Sequence, residues 1–153
     1  MRVYLAGFIQ GNKIIECTSW RKEIVGYYHL NPDISFLDPF SGKDLSSISG
    51  DGLNSSTPRN AIVHRDYAAV TSSDLIVANM NTFGESRPPI GTICELAWAW
   101  DKKIPIVLIS EDKNYLNHPF VSYFTSIAVP DVEYLLRHDV IGYFYKGIVN
   151  ALY

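Results

Sequence analysis

Short apolar runs alternate along the chain with longer segments in which apolar residues recur at helical spacing. Residues 3–6 form a compact apolar run closed by Gly7, and residues 34–37 form a second one closed by Asp38-Pro39. Residues 75–78 and 104–109 are a third and a fourth, and residues 126–129 are a shorter fifth. Apolar runs of this length, bounded by turn residues, read as strands buried in a sheet. Between them, residues 18–29, 58–70, 92–100 and 132–151 carry the helical period. Trp20, Ile24 and Tyr27/Tyr28 mark the first helix, and Val132, Leu135, Leu136, Val140 and Phe144 mark the last. Asn31-Pro32-Asp33 stops the first helix. Thr57-Pro58 opens the second with an N-cap residue and a proline at the first helical position.

Strands and helices in strict alternation predict an α/β architecture: one domain over residues 1–153, a doubly wound parallel sheet of about five strands, and helices on both faces. In such open sheets ligands bind at the carboxyl ends of the strands, where the strand order reverses. That rule selects residues 7–10, 38–42 and 79–91 and the segment after Ile109. Two long irregular stretches, residues 41–56 and 79–90, fall on this rim, and loops of that length in compact domains are typically functional or disordered.

Composition narrows the function classes. With 13 basic and 16 acidic residues the net charge is −3, so there is no basic footprint for a nucleic acid polymer. No apolar run approaches the roughly 20 residues of a membrane span, and the N-terminus lacks a signal peptide's apolar core. Two cysteines, Cys17 and Cys94, make no disulfide framework, and no His/Cys/Asp/Glu spacing suggests a metal. The expectation is a cytoplasmic protein without metal or cofactor. Ten tyrosines and three tryptophans suit a pocket for flat ligands or a subunit interface.

Three constellations could carry chemistry. Gly91-Thr92-Ile93-Cys94-Glu95 has the spacing of a capping box, with Thr92 as N-cap and Glu95 in the first turn. The same carboxylate at a helix N-terminus is favoured in its ionised form and can act as a nucleophile. Asp66 has Ile62, Val63, Ala69 and Val70 as its helical neighbours, which puts it in the middle of an apolar face, while His64, Arg65, Ala68 and Ser72 represent the solvent face. A carboxyl there is costly unless paired or functional, and desolvation would suit it to acid/base work. The third is the stretch from Tyr4 to Asn12, in which Gly7 and Gly11 follow a first strand and let a ligand approach the backbone, although they do not make a dinucleotide fingerprint; Tyr4 fits a core position equally well.

Taken together, Tyr4-Leu5-Ala6-Gly7, the Arg65-Asp66 helix leading into Ser73-Asp74-Leu75-Ile76-Val77-Ala78-Asn79, and Gly91-Thr92-x-x-Glu95-x-Ala97 resemble the nucleoside 2-deoxyribosyltransferase family over roughly residues 1–110. The resemblance implies a flavodoxin-like fold and the exchange of purine or pyrimidine bases on 2′-deoxynucleosides, a nucleotide-salvage reaction. It implies Glu95 as nucleophile, Asp66 as the residue handling the proton on the base, and Tyr4 as the group orienting the nucleophile. It extends a substrate-binding role to Gly7, Phe8, Asp38, Asn79, Phe83, Arg87, Gly91 and Thr92, with Phe8 or Phe83 stacking on the base. The expected partners are 2′-deoxynucleosides and free nucleobases, and the expected assembly is a homo-oligomer built from dimers. One departure stands out: Pro89 occupies the position, six before Glu95, at which many family transferases carry a sugar-binding aspartate. Ser86 and Arg87 lie slightly upstream. Two other readings stay open: an N-glycosidase acting on 2′-deoxynucleoside 5′-monophosphates with the same Glu95, and a non-catalytic nucleotide sensor on the same fold.

Overall fold

A computed structural model describes residues 1–9, 13–41 and 59–149. The five expected strands are present: β1 (Arg2–Gly7), β2 (Ser35–Leu37), β3 (Leu75–Asn79), β4 (Ile106–Ile109) and β5 (Ile127–Val129). They form one parallel sheet in the order β2-β1-β3-β4-β5. This is the flavodoxin-like arrangement, with the strand order reversing between β1 and β3. Every residue of β3 and β4 is buried, as expected for central parallel strands covered on both faces. Among the described residues no helix is long and apolar enough to cross a membrane.

Strand β1 decides where the site goes. Alternate side chains of a strand point to opposite faces. Val3 and Leu5 pack into a core with Trp20, Ile24 and Leu135, built from helices α1 (Ile14–Tyr28) and α6 (Val132–Arg137). Tyr4 and Ala6 pack into the other core, with Val70 from α2 (Arg59–Thr71), Leu96 and Ala99 from α3 (Ile90–Asp101), and Val121. The register pairs Tyr4 with Leu37 on one side and Ile76 on the other, and Gly7 with Asn79.

Several boundaries differ from the sequence expectation. Helix α1 begins at Ile14 rather than at residue 18, and β4 begins at Ile106, after Pro105, rather than at residue 104. A proline has no N–H for a central ladder, which accounts for the later start. Two short helices were not expected between β4 and β5: α4 (Lys113–Leu116) and α5 (Pro119–Phe124). The Asp112 side chain caps the first by accepting the Asn114 N–H, and Pro119 opens the second. The single C-terminal helix expected over residues 132–151 is two helices, α6 and α7 (Val140–Val149). They are separated at Asp139, whose backbone is left-handed at φ 48°. The Tyr28 hydroxyl donates to Asp139 Oδ1 at 2.9 Å, a tertiary contact that helical periodicity does not encode. The Thr57-Pro58 start of α2 and Gly11 lie outside the described residues.

Candidate active site

Tyr4 is 1% exposed, and its hydroxyl donates to Glu95 Oε1 at 2.7 Å in a buried hydrogen bond. Burial raises the tyrosine pKa above its ordinary value, and the nearby carboxylates of Glu95 and Asp66 raise it further. The hydroxyl therefore stays protonated and keeps donating. Glu95 reaches this point from α3, where it belongs to the buried stripe with Thr92, Leu96 and Ala99.

Thr92 and Glu95 do not form the expected capping box. Helix α3 starts at Ile90 with Pro89 as its N-cap residue, and no acidic residue stands in its first turn. Thr92 is thus the third helical residue and is buried, and Gly91 is exposed. Proline at 89 cannot extend the helix backwards, but it leaves the Ile93 N–H bonded to the Pro89 carbonyl at 3.0 Å. Glu95 falls in the second turn and points inward to Tyr4.

A cavity of about 420 Å³ opens beside Tyr4, lined also by Phe36 to Pro39 along and after β2, by Ser41, and by Arg65, Asp66 and Ala69 of α2; Glu95 stands behind Tyr4 and is not among its lining residues. Asp66 is largely shielded, with its side chain 17% exposed, and Arg65 Nε lies 4.0 Å from its Oδ1. Arg65 also donates to the Pro39 carbonyl at 2.6 Å, tying α2 to the turn after β2. The apolar stripe around Asp66 is narrower than its sequence neighbours imply. Val70 is fully buried but Val63 is 53% exposed.

Asp38 stands on the cavity wall, held by a residue that the sequence reading did not single out. Arg21 of α1 is 1% exposed. It donates to the Leu5 carbonyl at 3.3 Å and the Gly7 carbonyl at 3.2 Å, and also to Cys17 O. Its Nε lies 3.6 Å from Asp38 Oδ1, and its guanidinium stacks over Trp20 at 4.3 Å and Phe40 at 5.3 Å. Desolvation lowers its pKa, and Asp38 opposes that shift. Cys17 and Ile24, both buried, put Arg21 on the inner face of α1, a charged residue among apolar helical neighbours as Asp66 is on α2. Gly7 is required beside it. A Cβ there would lie 2.8 Å from a Trp20 ring carbon and 3.1 Å from Arg21 Nη2.

Phe8, Asn79, Phe83 and Arg87 lie away from the Tyr4 cavity. Phe8 is buried at 8% exposure and does not line the cavity beside Tyr4. Asn79 and Phe83 line a separate cavity of about 610 Å³ at the ends of β3, β4 and β5, together with Trp20 and Tyr115. Asn79 Oδ1 accepts the Asn81 N–H, Asn81 Oδ1 accepts the Phe83 N–H, and Phe83 and Gly84 both adopt positive φ. Arg87 is bonded to Glu85 at 2.8 Å, which pulls the Glu85 carboxyl down to about 2. It is not among the residues lining the Tyr4 cavity. Tyr145 near the end of α7 donates to Asp33 Oδ2 at 2.7 Å, just before β2, and residues 150–153 lie outside the described chain.

A buried carboxylate gripped by a tyrosine hydroxyl, with a second carboxyl lining the adjoining cavity, can support displacement at a sugar carbon: one group attacks and the other moves a proton. Solved structures share the fold of this chain. A conserved protein from Enterococcus faecalis V583 superposes with a TM-score of 0.64 at 18% identity, over 90% of this chain and 95% of that one. A CMP N-glycosidase from Clostridium botulinum gives 0.59 at 16% identity, over 93% and 99%. A 2-desoxiribosyltransferase from Leishmania mexicana gives 0.51 at 18% identity, over 72% of this chain and 65% of its own. No curated protein matches the chain in sequence. The nucleoside 2-deoxyribosyltransferase sequence profile matches residues 3–143, from the first strand into the last helix and across Tyr4, Asp66 and Glu95. The chain belongs to the nucleoside 2-deoxyribosyltransferase family.

Proposed function

We propose that this protein transfers a 2-deoxyribosyl group between nucleobases through a covalent intermediate on Glu95. The observation that carries the proposal is the buried 2.7 Å hydrogen bond from Tyr4 to Glu95 Oε1. It fixes the carboxylate, which in this proposal attacks the anomeric carbon. As that C–O bond forms, the C–N bond to the base breaks, and Asp66 delivers a proton to the departing base. A second base then attacks the same carbon, displaces Glu95 and gives its proton to Asp66. This is retaining-glycosidase logic with a nitrogen leaving group. A 2-deoxy sugar suits it, because no electron-withdrawing 2-hydroxyl destabilises the cationic transition state. The substrates proposed are neutral nucleosides rather than 5′-monophosphates, since Arg87 is engaged by Glu85.

The hydrolytic reading uses the same first step with water as acceptor. The fold shared with a CMP N-glycosidase favours keeping it as the second reading. Incubation with thymidine and adenine tests the proposal. Deoxyadenosine among the products, with a deoxyribosyl adduct on the Glu95 peptide when the acceptor is omitted, supports it. Free base released from a monophosphate alone, without exchange, replaces transfer by hydrolysis.

A further inference from the structure

The Tyr4 cavity has the makings of a base pocket with a built-in preference. Phe36, Leu37, Pro39 and Ala69 give it apolar walls, and Asp66 and Asp38 both stand on its lining. Apolar walls with a few fixed polar groups are what a flat heterocycle needs. Asp38 is unusually well fixed for a residue on a strand-end turn. Its Oδ1 accepts the Phe40 N–H at 2.9 Å and faces Arg21 Nε at 3.6 Å. Rotating it away would strip a 1% exposed guanidinium of its counter-charge, which is expensive. Only Oδ1 has a bonded partner among the described residues, and the side chain is still 30% exposed at the cavity.

A carboxylate accepts hydrogen bonds and donates none. The group facing Asp38 must therefore bring an N–H or O–H. Adenine and cytosine carry an exocyclic amino group on the ring edge where hypoxanthine and uracil carry a carbonyl oxygen. Acidic side chains read cytosine through this amino group. A carbonyl in its place leaves the carboxylate unsatisfied and repelled, and sites built for a donor reject analogues that lack it. The geometry points to Asp38, locked by Arg21, as the residue that selects amino-bearing bases, adenine and cytosine, over their oxo counterparts. This rests on the base occupying the Asp66 cavity, as in the proposed function.

The test measures two things on wild type, Asp38→Asn and Asp38→Ser, all checked by thermal melting. The first is calorimetric binding of free adenine against hypoxanthine and of cytosine against uracil. The second is kcat/KM for the four corresponding 2′-deoxynucleosides as donors. Wild type should favour the amino base about tenfold or more in each pair. The ratio should fall to within about threefold in whichever substituted form folds. Equal affinity for amino and oxo bases in wild type, or a ratio unchanged by substitution, overturns the assignment. Turnover without amino preference removes Asp38 as selector and leaves the transferase reading intact. Amino-selective binding without any turnover keeps Asp38 and removes the catalytic reading.

Discussion

Tyr4 and Glu95 are 91 positions apart in sequence, and one buried 2.7 Å hydrogen bond joins them, from the second core of the sheet to the second turn of α3. The bond is charge-assisted and its donor is fully desolvated, so it is worth more than an ordinary hydrogen bond. Glu95→Gln keeps the shape and removes the proposed nucleophile, and turnover should fall by roughly 10³-fold or more. Tyr4→Phe keeps the nucleophile and removes its anchor. It should cost about 1.5–3 kcal/mol, a drop in kcat of about 10–150-fold. Steady-state kinetics on both variants check the pair, and near-wild-type rates in Glu95→Gln would remove Glu95 from the chemistry.

The raised tyrosine pKa also has a stability signature. Unfolded, Tyr4 ionises near pH 10, while folded it holds its proton to higher pH. Its contribution is fully present below pH 10 and is lost as pH rises above that value. Tyr28, raised by burial and by its bond to Asp139, acts in the same direction. Denaturant midpoints measured from pH 8 to 11 should decline above pH 10 in wild type and decline less steeply in Tyr4→Phe.

Asp66→Asn preserves shape and hydrogen bonding but delivers no proton. A fall in kcat of roughly 10²–10⁴-fold, with a much smaller change in nucleoside affinity, is the expected result. Single-turnover rates separate base departure from binding, and an unchanged rate would assign Asp66 to structure alone.

Gly7→Ala should destabilise the fold. The added Cβ meets a Trp20 ring carbon at 2.8 Å, Arg21 Nη2 at 3.1 Å and the Asn79 carbonyl at 3.3 Å. Overpacking of this kind costs about 1–3 kcal/mol. A wild-type melting temperature in Gly7→Ala would show that Trp20 and Arg21 can yield.

On the surface, Arg87→Ala should release the Glu85 carboxyl from about 2 towards its ordinary value of 4.5, as read by NMR titration. The sign follows from the depressed pKa. In wild type the pair stabilises the fold above the ordinary carboxylate range and loses that contribution as pH falls towards 2. The variant should lack this acid dependence.

Much of the sheet is legible in the amino-acid pattern because its central strands are continuous apolar runs: β3 and β4 are buried at every residue. The residues of the candidate site stand out in the sequence for a related reason. Asp66 is conspicuous because a carboxylate interrupts apolar positions, and Tyr4 and Glu95 are conspicuous through the family motif. What periodicity misses is set by contacts distant in sequence or by backbone geometry. The break at Asp139 depends on Tyr28, and the turn through Phe83 and Gly84 depends on the side chains of Asn79 and Asn81. The start of α3 is misread because a Thr-x-x-Glu spacing imitates a cap, whereas Pro89 begins the helix three residues earlier and turns Glu95 inward. Arg21 is overlooked because arginine is ordinarily a surface residue, and here its donors are used up on strand-end carbonyls.

The alternation of β1 has a consequence for how this protein can change. Tyr4 and Ala6 face one core, and Val3 and Leu5 face the other. A one-residue insertion or deletion ahead of Tyr4 that the strand absorbed by slipping would preserve a parallel, apolar ribbon. It would also turn the hydroxyl towards Trp20 and Ile24 and present an aliphatic side chain to Glu95. Length changes at the N-terminus are therefore filtered by chemistry before they are filtered by folding. A library of such variants should contain stable sheets that are inert, separated from active ones by the parity of the shift.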